Sequence, residues 1–146
     1  MLNKRRQFLK STLAAGVSPF ISGGLAGAQI IGANDRLRLA VAGLNGRGKS
    51  HIDGFLGQKN VEIAYLIDPD KKVLASRMND LRKKVEAKGR PFTTKGISDI
   101  REALADKNLD AVSIATPNHW HSLMTIWSAQ SEKHVYVEKP MSHDVA

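Results

Sequence analysis

The sequence of 146 residues contains no cysteine, which excludes a disulfide framework, thiolate metal sites and a cysteine nucleophile. Long apolar runs are also missing. Residues 13–27 are interrupted by glycines and by Pro19, and they are too few for the roughly 20 apolar residues of a membrane-spanning helix. With 42% hydrophobic and 25% charged residues, the composition is that of a globular protein and excludes a disordered or collagen-like chain.

Acidic residues are absent before Asp35, whereas four basic residues lie within the first ten positions. The net charge of +8 is therefore concentrated at the N-terminus. Without residues 1–28 the chain carries 18 basic and 14 acidic residues, a net charge of +4 on 118 residues, which is ordinary for a protein surface. No basic stripe with interleaved aromatic residues remains, so we do not expect nucleic-acid binding.

The first 28 residues have the three parts of a secretion signal: a basic start, a weakly apolar middle and a small-residue exit. The basic start, Lys4–Lys10, resembles the twin-arginine export motif, with Lys4 in place of the usual Ser or Thr. We expect cleavage after Ala28. In a lipoprotein the lipidated cysteine would stand at the position of Ala28, so we expect no stable membrane anchor. The resemblance implies that the twin-arginine machinery exports the folded protein to the periplasm; the alternative is a disordered basic arm.

Strand-like and helix-like patterns alternate from residue 36 onward, after a polar linker at residues 29–35. Short apolar runs predict strands at Arg36–Gly43, Val61–Ile67, Phe92–Thr94, Asp110–Ala115 and His134–Val137. Helical patterns lie at Lys49–Gln58, at Lys71–Lys88, after Asp99 and at His119–Gln130. This alternation predicts an α/β fold with a Rossmann-like, doubly wound parallel sheet. Because such a domain usually has six strands, we expect residues 36–146 to form one that is incomplete at its C-terminus.

A glycine-rich loop joins the first strand to the first helix and approximates the Gly-x-Gly-x-x-Gly fingerprint of dinucleotide-binding sites. Gly43 and Gly48 take the first and third glycine positions, which serve the tight turn and the close helix–strand packing. Asn45 replaces the second glycine, and Gly46 supplies extra backbone freedom beside it. Free amides at the helix start can bind a phosphate, and Arg47 can pair with it. An ordinary glycine-rich turn is the alternative.

Asp68 ends the second strand, 25 residues after Gly43, where the fingerprint expects an acidic residue. A carboxylate at this position accepts hydrogen bonds from ribose hydroxyls and repels a 2′-phosphate, which favours NAD over NADP. Alternatively, the Asp68-Pro69-Asp70 segment only caps the next helix.

Thr116, Asn118, His119 and His121 follow the fourth strand, and in an open α/β sheet this loop faces the ligand cleft. His119 and His121 also have the spacing of a metal-binding pair, but the sequence offers no third ligand within reach, so no metal site is expected. The remaining histidines follow no pattern, and we expect surface or packing roles for His51, His134 and His143.

Glu138 and Lys139 end the fifth strand, at the same edge of the predicted sheet. A lysine beside a glutamate in a cleft can bind a substrate hydroxyl or relay its proton. By itself the Glu138-Lys139-Pro140 segment is also compatible with a plain strand end and an ion pair.

Together these motifs resemble the glucose–fructose oxidoreductase/inositol dehydrogenase (Gfo/Idh/MocA) family over residues 36–146. The resemblance rests on Gly43–Gly48, Asp68, Asp110–Val112, Thr116–His121 and Val135–Pro140. It implies that the glycine loop and Asp68 hold the adenosine half of NAD(P). It also implies that residues 118–121 line the nicotinamide side, that Glu138 and Lys139 contact the cofactor under its reacting carbon, and that Lys139 is in addition the catalytic residue that binds the substrate.

Members of this family usually oxidise a sugar or polyol hydroxyl by hydride transfer to the nicotinamide, using further residues from a C-terminal α+β domain. That domain is not in the sequence, so we expect a fragment of a longer enzyme, inactive alone, and homo-oligomerisation stays open. An exported enzyme cannot easily exchange its cofactor, so we expect NAD to be bound before export. The alternatives are an NAD-dependent glycosidase of the same superfamily, whose members tend to lack Glu-Lys-Pro, and a non-catalytic nucleotide-binding module.

Overall fold

The computed structural model describes residues 36–142, so the export signal, its cleavage site, the linker at 29–35 and His143 lie outside the described residues. The elements are β1 (Leu37–Ala42), α1 (Arg47–Leu56), β2 (Val61–Ile67), α2 (Lys71–Glu86), β3 (Lys95–Ile97), α3 (Ile100–Leu104), β4 (Ala111–Ile114), a 3₁₀ turn (Asn118–Trp120), α4 (His121–Gln130) and β5 (His134–Val137). The five strands form one parallel sheet in the order β3-β2-β1-β4-β5. The predicted Rossmann-like α/β fold is therefore confirmed.

The central strands are apolar on both faces because helices cover both faces of the sheet. In β1, Leu39 and Val41 pack with residues of α1 and α2, such as Ile52 and Leu81. Alternate β1 residues, Ala40 and Ala42, belong to a second cluster that includes α3 residues and is backed by Met124 and Trp127 of α4. The period of two along β1 thus separates two cores, one on each side of the sheet.

The order of the strands places a ligand-binding position between β1 and β4. The chain moves outward from β1 to β2 and β3, and it then returns to build β4 and β5 on the other side of β1. Connections leaving the carboxyl ends of β1 and β4 therefore diverge to opposite faces of the sheet. Such a topological switch point opens a crevice at the carboxyl edge, where open α/β sheets bind ligands.

The prediction of a third strand at Phe92–Thr94 was wrong, because β3 spans Lys95–Ile97. Its ladder with β2 begins where Lys95 pairs with Tyr65. One residue earlier, the Thr94 hydroxyl donates a hydrogen bond of 2.7 Å to the Ile63 carbonyl oxygen of β2. A side chain therefore occupies the β2 acceptor there, and backbone pairing starts with the next residue.

Helix starts differ from the predictions at two places. Helix α1 begins at Arg47 rather than Lys49, directly after Gly46, whose φ is 54°. The region predicted as a helix from His119 begins as a 3₁₀ turn, and α4 proper starts at His121. Within residues 36–142, none of the helices has the length and apolar character needed to cross a membrane.

Candidate functional site

A cleft of about 600 Å³ lies at the carboxyl edge of β1, β2 and β4. Its lining brings together residues from three predicted motifs: Gly43, Asn45 and Gly46 from the glycine loop, Asp68 from the end of β2, and Thr116 after β4. This is the crevice that the switch point between β1 and β4 creates.

The first and third glycines of the loop are required by close backbone contacts. Gly43 has a φ of 81°, and a Cβ atom there would lie 2.6 Å from the Thr116 nitrogen. A Cβ atom on Gly48 would overlap the Gly43 carbonyl group. Any side chain at Gly43 or Gly48 would therefore push the loop away from β4 or α1 away from the loop.

The middle of the loop is arranged by Asn45 and Gly46. The positive φ of 54° falls on Gly46 rather than on Asn45, whose side-chain oxygen accepts a hydrogen bond of 3.1 Å from the Gly46 N–H. Helix α1 then starts with no side-chain cap and no acidic residue in its first turn. The positive end of the helix dipole is therefore left for an anion, as in dinucleotide-binding loops.

The Leu44 backbone is held by hydrogen bonds on both sides of its Cα atom. Its N–H donates a hydrogen bond of 2.9 Å to Asp68 Oδ2, and its carbonyl oxygen accepts one of 3.0 Å from Arg77 Nε on α2. Asp68 Oδ1 also accepts from the Asp70 N–H at 2.9 Å, and the Asp68 side chain is buried. Besides its predicted contact to ribose, which stays a prediction, Asp68 thus anchors the glycine loop to β2.

Arg77 was not identified from the sequence. Arg77 comes four residues after Val73, which borders the cleft, and four residues before Leu81, which lies in the core. The three residues therefore share one face of α2. The sequence signal for Arg77 was therefore a basic residue on the same helix face as Val73 and Leu81.

Glu138, at the end of β5, joins the start of α1 to the strand that carries Lys139. Its Oε1 atom accepts hydrogen bonds of 2.8 Å from Arg47 Nε and from His51 Nε2. Arg47 and then His51 are the main causes that lower the pKa of Glu138 to about 2, and Glu138 in turn raises the pKa of Arg47. Arg47, predicted to meet a phosphate, thus has a carboxylate partner within the protein.

Lys139 is exposed, and within residues 36–142 its ammonium group forms no ion pair. The peptide bond between Lys139 and Pro140 is cis. The side chain that sequence reasoning assigned to the substrate is therefore accessible at the end of β5, next to the fixed carboxylate of Glu138.

His51 is the second site residue that the sequence did not reveal. It lies one turn into α1 with its side chain 8% exposed, and its Nδ1 atom is 2.8 Å from the Ser113 hydroxyl of β4. The expectation of a plain surface or packing role was incomplete, because the His51 ring bonds to both β4 and β5. His51 comes four positions after Arg47 and therefore shares its face of α1. This spacing was the signal available in the sequence.

The loop after β4 divides its predicted residues between exposed and buried positions. Asn118 and His119 are exposed in the 3₁₀ turn, whereas His121 is buried. The His121 Nδ1 atom lies 2.7 Å from the Pro140 carbonyl oxygen, and its Nε2 atom lies 2.8 Å from that of Thr116. His121 therefore joins the two loops that border the site. In the described part of the chain, no group of three His, Asp or Glu residues is arranged to hold a metal ion.

Comparison with known proteins agrees with this architecture. The model of a family described as "Oxidoreductase family, NAD-binding Rossmann fold" matches residues 37–146. A curated relative from Shewanella baltica, named glycosyl hydrolase family 109 protein, is 32% identical over 108 residues, which are 74% of this chain and 23% of the relative. The chain thus spans about a quarter of the length of such relatives.

Two solved structures show the same fold. The WlbA dehydrogenase from Bordetella pertussis, in complex with NADH and UDP-GlcNAcA, is 25% identical with a TM-score of 0.62; the match covers 73% of this chain and 30% of that one. The myo-inositol 2-dehydrogenase from Lactobacillus plantarum is 23% identical with a TM-score of 0.63, over 75% and 30% of the respective chains.

Proposed function

Since the chain belongs to the Gfo/Idh/MocA oxidoreductase family, with its NAD-binding Rossmann fold, we propose that the full-length protein oxidises a sugar or polyol hydroxyl by hydride transfer to NAD. The observation that carries this proposal is that Lys139 and Glu138 lie at the same sheet edge as the glycine loop, which is held by Asp68 and Arg77. This arrangement supports the proposal of an anion site and a substrate-binding lysine at one edge of the sheet.

The residues of the cleft fit a dinucleotide. Gly43 and Gly48 permit a backbone arrangement that any Cβ atom would block, and α1 begins without an internal anionic cap. The loop and α1 would hold the pyrophosphate, and Asp68 would accept a hydrogen bond from the adenosine ribose. The carboxylates of Asp68 and Asp70 at this edge would repel a 2′-phosphate, so we propose NAD as the cofactor.

A nicotinamide bound here would supply the acceptor for the hydride that leaves the carbon carrying the substrate hydroxyl. Lys139 donates a hydrogen bond to the oxygen of that hydroxyl and takes part in moving its proton. Glu138 stays ionised because its pKa is about 2, so it orients its donors and does not act as a proton donor near neutral pH. The loop at Thr116–His121 would line the nicotinamide side.

Replacing Lys139 tests this proposal in the full-length protein. We expect Lys139→Ala to lower kcat by at least about a hundredfold, because a positioned acid–base group contributes this much. We expect the dissociation constant for NAD, measured by calorimetry, to stay within about threefold of the wild type, since Lys139 is assigned to the substrate.

Lys107→Ala, another exposed lysine away from the cleft, is the matched control and should change neither quantity. A Lys139→Ala protein with wild-type turnover of a panel of sugars and polyols contradicts the assignment of Lys139.

A glycosidase is the second candidate, favoured by the family 109 glycosyl hydrolase name of the Shewanella baltica relative. Hydrolysis of p-nitrophenyl glycosides with retained NAD and no accumulation of NADH would establish it. Accumulation of NADH with a free sugar would establish the dehydrogenase. NAD binding without turnover of either class would point to a non-catalytic module.

We also propose that the twin-arginine machinery exports the protein to the periplasm with NAD already bound, on the basis of the Lys4–Lys10 motif. Retention of NAD after prolonged dialysis of the purified full-length protein is the expected result. Complete loss of NAD on dialysis would contradict cofactor retention.

A further inference from the structure

His51 is a polar residue that none of the sequence motifs explains. Its side chain is 8% exposed, and its ring meets Tyr136 and Phe55 edge-on, with centroid distances of 5.4 and 6.5 Å. Packing against two aromatic rings fixes the plane of the imidazole, and both of its nitrogens have polar partners. The orientation of His51 is therefore determined before any ligand binds.

The two partners of His51 determine which ring nitrogen carries the proton. Glu138 is ionised and can only accept hydrogen bonds, so His51 Nε2 must carry a hydrogen and donate it. In the neutral ring Nδ1 is then an acceptor, and the Ser113 hydroxyl donates to it at 2.8 Å. The chain Ser113 to His51 to Glu138 thus selects one tautomer.

This chain of serine, histidine and carboxylate is not a nucleophilic triad. Ser113 is fully buried in the central strand β4, with 0% exposure, so no substrate reaches its hydroxyl. The ring is also reversed relative to serine hydrolases, since its Nε2 faces the carboxylate. The role left for Ser113 is to hold the His51 tautomer.

Of the two donors to Glu138, His51 is the fixed one. The Arg47 side chain is 66% exposed, and an ion pair with an exposed partner is screened by solvent and contributes little by itself. The His51 side chain is buried and held by Ser113 and two aromatic rings. The carboxylate position is therefore set mainly by His51, and Arg47 joins a carboxylate that is already oriented.

We propose that His51 is a positioning residue of the NAD site: it fixes the Glu138 carboxylate, which in turn holds the Arg47 guanidinium at the start of α1 and the strand end that presents Lys139. This inference rests on the proposed function. It assigns to α1 a second task besides phosphate binding, because the same helix face sets the geometry on the nicotinamide side.

The test compares His51→Ala and His51→Gln in the full-length protein, with His134→Ala as the control. His134 lies exposed at the start of β5 and outside the cleft. NAD dissociation constants are measured by calorimetry between pH 2 and 8, a range that contains the titration of Glu138, and thermal unfolding without NAD at each pH separates a loss of affinity from a loss of stability.

We expect His51→Ala to weaken NAD binding about tenfold at neutral pH, because Glu138 loses its fixed charge-assisted donor. Losing this donor also raises the pKa of Glu138. The acid limb of the binding profile, meaning the pH range in which protonation of Glu138 weakens NAD binding, should therefore move up by about one pH unit. A glutamine side-chain amide at this position can reach Glu138 as a donor, and we expect His51→Gln to recover most of the affinity and the original acid limb. A purely structural role would give neither the shifted limb nor this recovery.

Nitrogen-15 NMR of the histidine rings gives a readout on the wild-type protein, for which His51→Gln serves only to assign the signal. The expected result is a hydrogen on Nε2 of His51 and none on Nδ1, assigned by loss of the signal in His51→Gln. A hydrogen on Nδ1 alone overturns the proposal, as does His51→Ala with wild-type affinity and acid limb. A wild-type protein that binds no NAD instead overturns the proposed function, which makes the two failures distinguishable.

Discussion

At the scale of single residues, Asp68 anchors the glycine loop, and the proposed ribose contact would use the same carboxylate. Its two oxygens accept from the backbone N–H groups of Leu44 and Asp70, so it holds the glycine loop against β2. Each carboxylate oxygen has more than one lone pair, which leaves acceptor capacity for a ribose hydroxyl. Loss of Asp68 should therefore impair folding and nucleotide binding together.

We expect Asp68→Ala to lower the free energy of unfolding by about 2–4 kcal/mol, because the buried amide of Leu44 and the part-buried amide of Asp70 both lose a charged acceptor. The same change should weaken NAD binding by at least about tenfold, since both the loop anchor and the ribose contact are removed. Urea denaturation and calorimetric titration of the full-length protein measure the two effects.

Asp70→Ala is the matched control, because it removes a neighbouring carboxylate that also borders the cleft. Asp70 caps α2 by accepting from the Lys72 and Val73 N–H groups, and losing such a cap costs about 1 kcal/mol. If Asp70→Ala weakens NAD binding more than Asp68→Ala does, the ribose contact belongs to Asp70 and the assignment to Asp68 is wrong.

At the scale of secondary-structure elements, the contact between α1 and the loop after β1 depends on Gly48. We expect Gly48→Ala to destabilise the protein by about 1–3 kcal/mol, as overpacking does, because its Cβ atom would overlap the Gly43 carbonyl group. NAD affinity should fall as well, since α1 carries both Arg47 and His51. Urea denaturation and NAD titration measure both changes.

The same helix offers its own control at Gly54, where a Cβ atom would meet nothing within 4 Å. Gly54→Ala should leave NAD binding unchanged and stabilise the protein by up to about 1 kcal/mol, because alanine favours the helix. Equal effects of the two substitutions would show that helix propensity, and not the close contact at Gly48, governs α1.

The sequence predicted some elements well and others poorly, for physical reasons. The bounds of β2 and β5 agree with the prediction, because each is an apolar run that ends at a clear turn or polar segment. Strand β3 consists of Lys95, Gly96 and Ile97, which carry almost no apolar signal, and its place is set by pairing with β2. A local sequence pattern thus predicts the bounds of a strand only where burial of apolar side chains determines them.

For the site, the motifs identified the loops that meet at the cleft but not the partners of each side chain. His51 and Glu138 are 87 residues apart in the sequence, and Arg77 and Leu44 are 33 apart. Such partners follow from the packing of α1 and α2 on the sheet. A single sequence gives no measure of that packing, so Arg77 and His51 were missed.

At the scale of the whole molecule, the fold and the family are established, whereas the substrate and the destination in the cell are proposals. The chain spans 23% of the Shewanella baltica relative, so most of a protein of that length lies outside the matched region. Experiments on substrate choice and transport therefore require the full-length protein.

The export proposal predicts that the double substitution of Arg5→Lys and Arg6→Lys retains the protein in the cytoplasm. Lysine preserves the positive charge, so the change removes the motif and leaves the charge of a basic arm. Immunoblots of cytoplasmic and periplasmic fractions measure the result, and Lys10→Arg should be exported normally. Export of the double variant at the wild-type level would favour the alternative of a basic arm.

The Leu44 backbone is held by Asp68 at its N–H and by Arg77 at its carbonyl oxygen, and this order affects the rate at which a bound dinucleotide dissociates. A loop that is ordered in advance loses little conformational entropy when it closes on a dinucleotide, so the entropic cost is met during folding and not during binding. The bound state then dissociates slowly, since related complexes differ mainly in their dissociation rates. A long residence time of this kind would let one molecule of NAD stay with the protein through transport.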